Sequence, residues 1–265
     1  FQAIHESDMK LLPLPETAFI DPFRKEKTLV LNFSVRNPLT DEPYSRDPRN
    51  VASKAEAYLA GSGIADTAFF APEAEFYVFD DIRYGTSQNS SFHHIDSIEG
   101  AWNTGRTEEG GNLGYKVLLK EGYFPVAPND TLQDMRSEML LAMGALGVPI
   151  EKQHHEVATA GQNEIGTKFA TLVKRADWTQ NLKYIVHNVA HQYGKTATFM
   201  PKPFARHPGS GMHTHLSLFE GDRNAFYEPG AKYQLSKVAR SFMAGLLRHA
   251  PEFTAVTNQW VNSYK

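Results

Sequence analysis

One run of twelve residues, His154 to Ile165, constrains this chain more than any other. His154-His155-Glu156-Val157 and Gln162-Asn163-Glu164-Ile165 flank Ala158-Thr159-Ala160-Gly161. The four middle residues are small and end in glycine, so the chain can reverse tightly there. Two antiparallel strands leaving that reversal would bring Glu156 and Glu164 together. Read in isolation, the run also fits an ordinary polar hairpin.

Two other runs carry the same kind of chemistry. Glu73 and Glu75 stand two apart in Ala71-Pro72-Glu73-Ala74-Glu75-Phe76, so on a strand both carboxylates share one face. Their apolar neighbours make that face largely buried. Two such carboxylates repel unless a cation lies between them. His213, His215 and Ser217 follow Gly209-Ser210-Gly211 and alternate with Leu216 and Leu218. A strand there turns the polar set to one side and the leucines to the core. Oxygen-rich donors with one or two imidazoles suit Mg²⁺ or Mn²⁺ better than zinc. Two such ions clamp phosphate oxygens during in-line transfer. Spacing alone reaches a carboxylate-rich, two-metal, phosphate-handling site. A two-metal hydrolase would look the same at this level.

The rest of the 265 residues narrows the alternatives. The chain has no cysteine, which excludes disulfides, thiolate metal sites and a cysteine nucleophile. A net charge of −3 with interleaved signs leaves no basic stripe for nucleic acid. The longest uncharged apolar run, Met139 to Ile150, has twelve residues and falls short of the ~20 needed to span a bilayer. No signal pattern opens the chain, and both ends read as cuts through a longer protein.

Strands and helices alternate along the chain. Thr28 to Val35 and Thr67 to Asp80 read as strands. Asp47-Pro48 reads as a cap and first turn, with Val51, Ala55, Tyr58 and Leu59 at helical spacing before Gly61. Helical stripes recur at Leu132 to Leu146, at Leu182 to Tyr193, and at Leu235 to Leu247 with Pro251 as the stop. Tyr84 to Lys116, rich in Gly, Ser, Asn and Thr, reads as a long excursion. With no GxGxxG and no P-loop, the pattern points to α+β rather than a doubly wound nucleotide fold.

Seven motifs occur together in the order found in class I glutamine synthetases, and the chain closely resembles that family. They are Glu6-Ser7-Asp8-Met9, Pro72 to Phe76, Gly122-Tyr123-Phe124-Pro125-Val126, His154 to Ile165, Lys195 to Pro203, Gly209 to Ser217, and Asn262-Ser263-Tyr264-Lys265. The resemblance implies ATP-dependent joining of ammonia to the γ-carboxylate of L-glutamate through γ-glutamyl phosphate. It implies Glu75, Glu156 and Glu164 on a first Mg²⁺ or Mn²⁺ ion and Glu73 and His213 on a second. Glu151, Phe169, His215 and Ser217 match nucleotide-contacting positions, and Gly209 matches one that meets glutamate. Glu156 and Tyr123 match positions at the ammonium pocket. The implied fold is α+β: residues 1–47 end a small β-grasp-like domain, and 48–265 belong to a catalytic domain built on a curved antiparallel sheet. A cytoplasmic homo-oligomer, a dodecamer of two hexameric rings, is implied too.

Three departures accompany the resemblance. The chain starts just after the family's Asp-Gly-Ser-Ser segment, which supplies the carboxylate that takes ammonia's proton. It stops before the family's Asn-Arg-Ser motif and the later arginines and glutamate, so 48–265 is an incomplete catalytic domain, expected to be inactive alone. Finally, Arg206-His207-Pro208-Gly209-Ser210 puts Pro208 where the family carries asparagine. From His207 onward the chain looks more like paralogues that include γ-glutamylpolyamine synthetases. The alternatives are thus a γ-glutamyl-amine ligase of the same fold, or a structural relative without catalysis.

Overall fold

The computed structural model describes residues 8–105, 107 and 111–265. Glu6 and Ser7 of the first motif lie outside the described residues. The chain divides into two compact units.

The first unit comprises the described residues of 1–71, with 169–178 and 215–249. Here β1 (Lys10–Ile20) pairs antiparallel with β2 (Leu29–Arg36). The alternation at 28–35 anticipates β2 but nothing anticipates β1. Pro13 and Pro15 interrupt its pattern, since proline donates no ladder hydrogen bond and reads as a strand breaker. Helix α1 (Pro48–Gly61) starts where the sequence puts it. The Asp47 carboxylate accepts from the Arg49 amide at 3.0 Å, and Pro48 sits in the first turn. Its apolar stripe is mostly not core: Val51 and Tyr58 stay exposed, and Leu59 alone of the four packs on the buried cluster Ala65, Leu218 and Ala225.

The second unit comprises 72–168, 179–214 and 250–265. Strand β3 (Thr67–Phe79) contributes its second half here. It is followed by the hairpin β4 (Asp81–Thr86) and β5 (Ser91–Asp96). The polar excursion therefore opens as a hairpin. Its polar composition hides the strands, since Phe92 and Ile95 stand three apart and give no period-two alternation to read. Helix α2 (Gln133–Ala145) buries Met135, Met139 and Met143, as its stripe requires. The strands β6 (Ile150–His155) and β7 (Gln162–Thr167) are the expected pair around the small-residue turn.

Further along lie β8 (Ala170–Thr171), α3 (Leu172–Gln192), β9 (Thr196–Thr198), β10 (Met212–Glu220) and β11 (Arg223–Asn224). Helix α3 begins ten residues before the stripe at Leu182. The main sheet has the order β11-β10-β3-β7-β6, with β8 and β9 also paired to β3. It is an antiparallel α+β arrangement, as the resemblance implies. The last helices are α4 (Lys237–Arg248), capped by Ser236, and α5 (Ala250–Thr257). Pro251 does not simply stop a helix. It opens α5, where its missing N–H leaves no bond unmade.

Candidate functional site

Three neighbouring strands of the second unit set the site. His154 on β6 is the register partner of Glu164 on β7, and Glu164 is the partner of Glu75 on β3. Directly opposed residues in an antiparallel sheet share a face, so an imidazole and two carboxylates stand side by side. Glu156 follows β6 directly, and its amide donates to the Gln162 carbonyl at 2.8 Å across the turn. His154 Nδ1 is 3.5 Å from Glu156 Oε1, and His154 Nε2 is 3.6 Å from Glu164 Oε1. His154, Glu156 and Glu164 each offer a ligand atom within 4.8 Å of the others, and all three are buried.

Glu75 and His213 meet at Gly211. A Cβ on Gly211 would come within 3.1 Å of Glu75 Oε1 and 3.0 Å of His213 Nε2, so glycine keeps that approach open. Glu73 joins through Lys152, whose ammonium lies 4.0 Å from Glu73 Oε1 and 3.4 Å from Glu164 Oε1. The Lys152 stem runs over Gly166, where a Cβ would approach its Cγ to 2.8 Å.

The charges in this cluster are unevenly compensated. Burial would raise the Glu164 carboxyl, but hydrogen bonding and charge from His154, with Lys152, outweigh it and hold it below the ordinary range. Burial likewise opposes charge on His154, yet the same carboxylate neighbours raise its pKa. Glu75 goes the other way. Burial raises its pKa, and the charges of Glu156 and Glu164 outlast the opposing hydrogen bond from Gly211. A cation beside Glu75 would relieve the repulsion from Glu156 and Glu164.

The donor set fits such a cation. His154 Nε2 and Glu164 Oε1 are buried and face each other at 3.6 Å, longer than a well-formed hydrogen bond, so both have room to turn to a cation. Carboxylate oxygens with one imidazole are hard donors of the kind that bind Mg²⁺ or Mn²⁺. His154 is a candidate that the sequence reading leaves without a role. Its position two residues before Glu156 on an extended strand is the signal that marks it.

Beside the cluster lies a cavity of about 440 Å³, lined among others by Glu75, His213, Gly209, Pro208 and Gln162. Its Pro208–Gly211 loop is tied down residue by residue. The Tyr77 hydroxyl donates to the Pro208 carbonyl at 3.0 Å. Gln162 Nε2 donates to the Gly209 carbonyl at 3.0 Å. The Ser210 amide donates to the Pro201 carbonyl at 2.8 Å, and the Gly211 amide to Glu75 Oε2 at 2.9 Å. Burial, then the charges of Glu75 and Glu156, push the Tyr77 phenol far up, so it stays a donor.

The remaining candidates divide between the units. Tyr123 is exposed and sets its ring edge-on to His154, with centroids 5.7 Å apart. Glu151 is exposed on β6. Phe169, His215 and Ser217 belong to the first unit. There Phe169 is largely exposed and packs edge-on to Phe69 at 5.2 Å. His215 and Ser217 lie on β10, two residues apart.

Known proteins can be set against this geometry. The family described as "Glutamine synthetase, catalytic domain" matches residues 45–265. A glutamine synthetase of Frankia alni is 57% identical over the whole chain, which covers 56% of that relative. A 3-hydroxylaminophenol mutase of Cupriavidus pinatubonensis is 51% identical, again over the whole chain and 56% of the relative. The chain therefore spans about half the length of the curated relatives it matches. Among solved structures, Plasmodium falciparum glutamine synthetase superposes with a TM-score of 0.90 at 26% identity, over 99% of this chain and 51% of that one. A GmaS/ADP complex superposes at 0.76 with 29% identity, over 100% of this chain and 54% of that one. No helix of the described residues is long and apolar enough to cross a membrane. With the family's catalytic domain matched from residue 45 to the last residue, and with relatives more than half identical along its full length, this chain belongs to the glutamine synthetase family.

Proposed function

We propose that the protein containing this chain joins ammonia to the γ-carboxylate of L-glutamate at the expense of ATP. The observation supporting this is the row His154, Glu164 and Glu75 beside the Gly209 cavity. In the first step a γ-carboxylate oxygen bonds to the γ-phosphorus of ATP, and the bond to the β-bridging oxygen breaks, leaving ADP. In the second, the nitrogen lone pair of ammonia bonds to the acyl carbon. The bond to phosphate breaks, and the nitrogen sheds a proton.

Glu75, Glu156 and Glu164 would hold one divalent ion, and Glu73 with His213 a second. Bound there, Mg²⁺ or Mn²⁺ neutralises phosphate oxygens during transfer. Gly209, with its backbone tied to Gln162, would orient glutamate in the cavity. The Glu156 carboxylate and the Tyr123 ring would favour an ammonium ion over neutral competitors. Glu151, Phe169, His215 and Ser217 would meet the nucleotide. Residues 1–47 would end a β-grasp-like domain and 48–265 would form part of the catalytic domain of a cytoplasmic homo-oligomer of two hexameric rings.

A second reading keeps the phosphorylation step and replaces ammonia with a larger amine. Pro208 in the cavity loop favours it, since proline offers neither the amide side chain nor the backbone N–H of asparagine. The deciding experiment is phosphate release from glutamate and ATP with a panel of amines including ammonium. No release with any amine would refute both readings.

A further inference from the structure

Gln162 opens β7 and is almost wholly buried, yet every polar atom of its side chain is engaged. Its Oε1 accepts from the Ala158 amide at 2.8 Å. Its Nε2 donates one proton to Glu75 Oε2 at 2.8 Å and the other to the Gly209 carbonyl at 3.0 Å. Through its backbone it also receives the Glu156 amide at 2.8 Å. One residue thus touches the turn after Glu156, the carboxylate Glu75, and the loop that lines the cavity.

The chemistry of the amide explains why no other side chain serves. Two donors diverge from one nitrogen in a plane, and an acceptor sits on the same carbon. Glutamate there would set a carboxylate against Glu75 and against a carbonyl. A methionine would leave the buried Ala158 N–H and the Gly209 carbonyl without this partner and Glu75 Oε2 with the Gly211 amide alone, and an unmet donor is costly where water cannot reach it. The Gly211 amide reaches the same Glu75 oxygen from the other side at 2.9 Å. Glu75 Oε2 is thereby consumed by positioning bonds, which leaves Oε1 to face Gly211 and His213.

We infer that Gln162 is a positioning residue that fixes the separation between the Glu75 carboxylate and the Gly209 carbonyl, so that metal binding and substrate binding are set by one amide. This rests on the function proposed above for the kinetic half of its test, and not for the metal half. Without the bridge, Glu75 Oε2 keeps only the Gly211 amide and the loop is held only at its neighbours. Both the metal carboxylate and the cavity floor then relax together.

The test compares the whole protein with Gln162→Met, and with the isosteric Gln162→Glu in case methionine prevents folding. Mn²⁺ affinity is read by electron paramagnetic resonance titration of the metal alone. The KM for glutamate, the KM for ATP and kcat are read from phosphate release. The expected result is Mn²⁺ affinity weakened about tenfold and the glutamate KM raised about tenfold, with the ATP KM and kcat within about threefold. Tyr77→Phe loosens only the Pro208 tether, so it should raise the glutamate KM and leave Mn²⁺ affinity unchanged. A folded Gln162 variant whose Mn²⁺ affinity and glutamate KM both stay within twofold, with only thermal stability lowered, overturns the inference. If the parent protein releases no phosphate at all, the proposed function has failed and the Mn²⁺ titration still decides the role of Gln162.

Discussion

The Nε2 of His155 lies 3.1 Å from Oε2 of Glu99, with both side chains shut away from solvent. Glu99 also accepts from the Gly161 amide and from both the amide and the hydroxyl of Thr131. On its other side, His155 Nδ1 is 2.8 Å from the Gly122 carbonyl and 2.9 Å from that of Glu156. Both ring nitrogens face acceptors, which is the geometry of a charged imidazolium. The pair therefore joins the Tyr123 turn to the backbone of Glu156.

Acid should reveal Glu99. Burial would raise its pKa, but hydrogen bonding and charge from His155 outweigh that and lower it below its ordinary 4.5. A lowered carboxyl contributes stability that is present above the ordinary value and lost as pH falls through the lowered one. The urea midpoint should therefore drop on the acid side, and Glu99→Gln should flatten that limb. The variant should also lose about 3 kcal/mol at neutral pH, because a buried imidazolium is left unpaired. An acid limb identical in both proteins would show that Glu99 is not the titrating group.

Removing charge at Glu75 should separate stability from binding. Burial, then the charges of Glu156 and Glu164, raise its pKa. The fold thus prefers protonated Glu75, and its contribution fades as pH rises through that raised value. Glu75→Gln should melt a few degrees higher in EDTA and gain less from added Mn²⁺ than the parent does. Calorimetry with and without Mn²⁺ checks both halves, and undiminished stabilisation by Mn²⁺ in the variant would rule out Glu75 as a ligand.

Glu156→Gln keeps the shape of a buried side chain and removes its charge. Phosphate release should fall by about 10²-fold or more while the melting temperature moves by only a few degrees. Activity within a few fold of the parent would contradict the role given to Glu156.

Pro208 tests the acceptor. Its carbonyl is held by Tyr77, and its ring lines the cavity. Pro208→Asn should raise the ratio of kcat/KM for ammonium over that for larger amines. Equal ratios would mean the ring is neutral packing and the acceptor is chosen elsewhere.

Much of this architecture is legible residue by residue. The turn at 158–161, the alternation in β3 and the methionine stripe of α2 each encode one local structure that packing then keeps. Where the sequence is silent, a specific cause can be named. Pro13 and Pro15 conceal β1, and the polar composition around 84–96 conceals the β4–β5 hairpin. Apolar spacing misleads at Val51 and Tyr58, which are exposed. Spacing can show that Glu75 and Glu164 share a face with other candidates. It cannot show that they are register partners, nor that Gln162 spans to Gly209 across 47 positions of sequence.

All six residues of β7 are buried, and its two faces do different work. Gln162 and Glu164 serve the site, while Asn163 anchors Arg136 at 2.8 Å and Ile165 sits in the core. Strand alternation ties these assignments to chain length. One residue added to or deleted from the turn at 157–161 would exchange the faces, driving Glu164 inward and turning Ile165 toward the carboxylates. Gly161 is also required within that turn, because at φ +80° a Cβ there would fall 2.3 Å from the Val78 carbonyl oxygen. A change of length is therefore expected to be tolerated at the exposed β4–β5 tip and to disrupt the site in this turn.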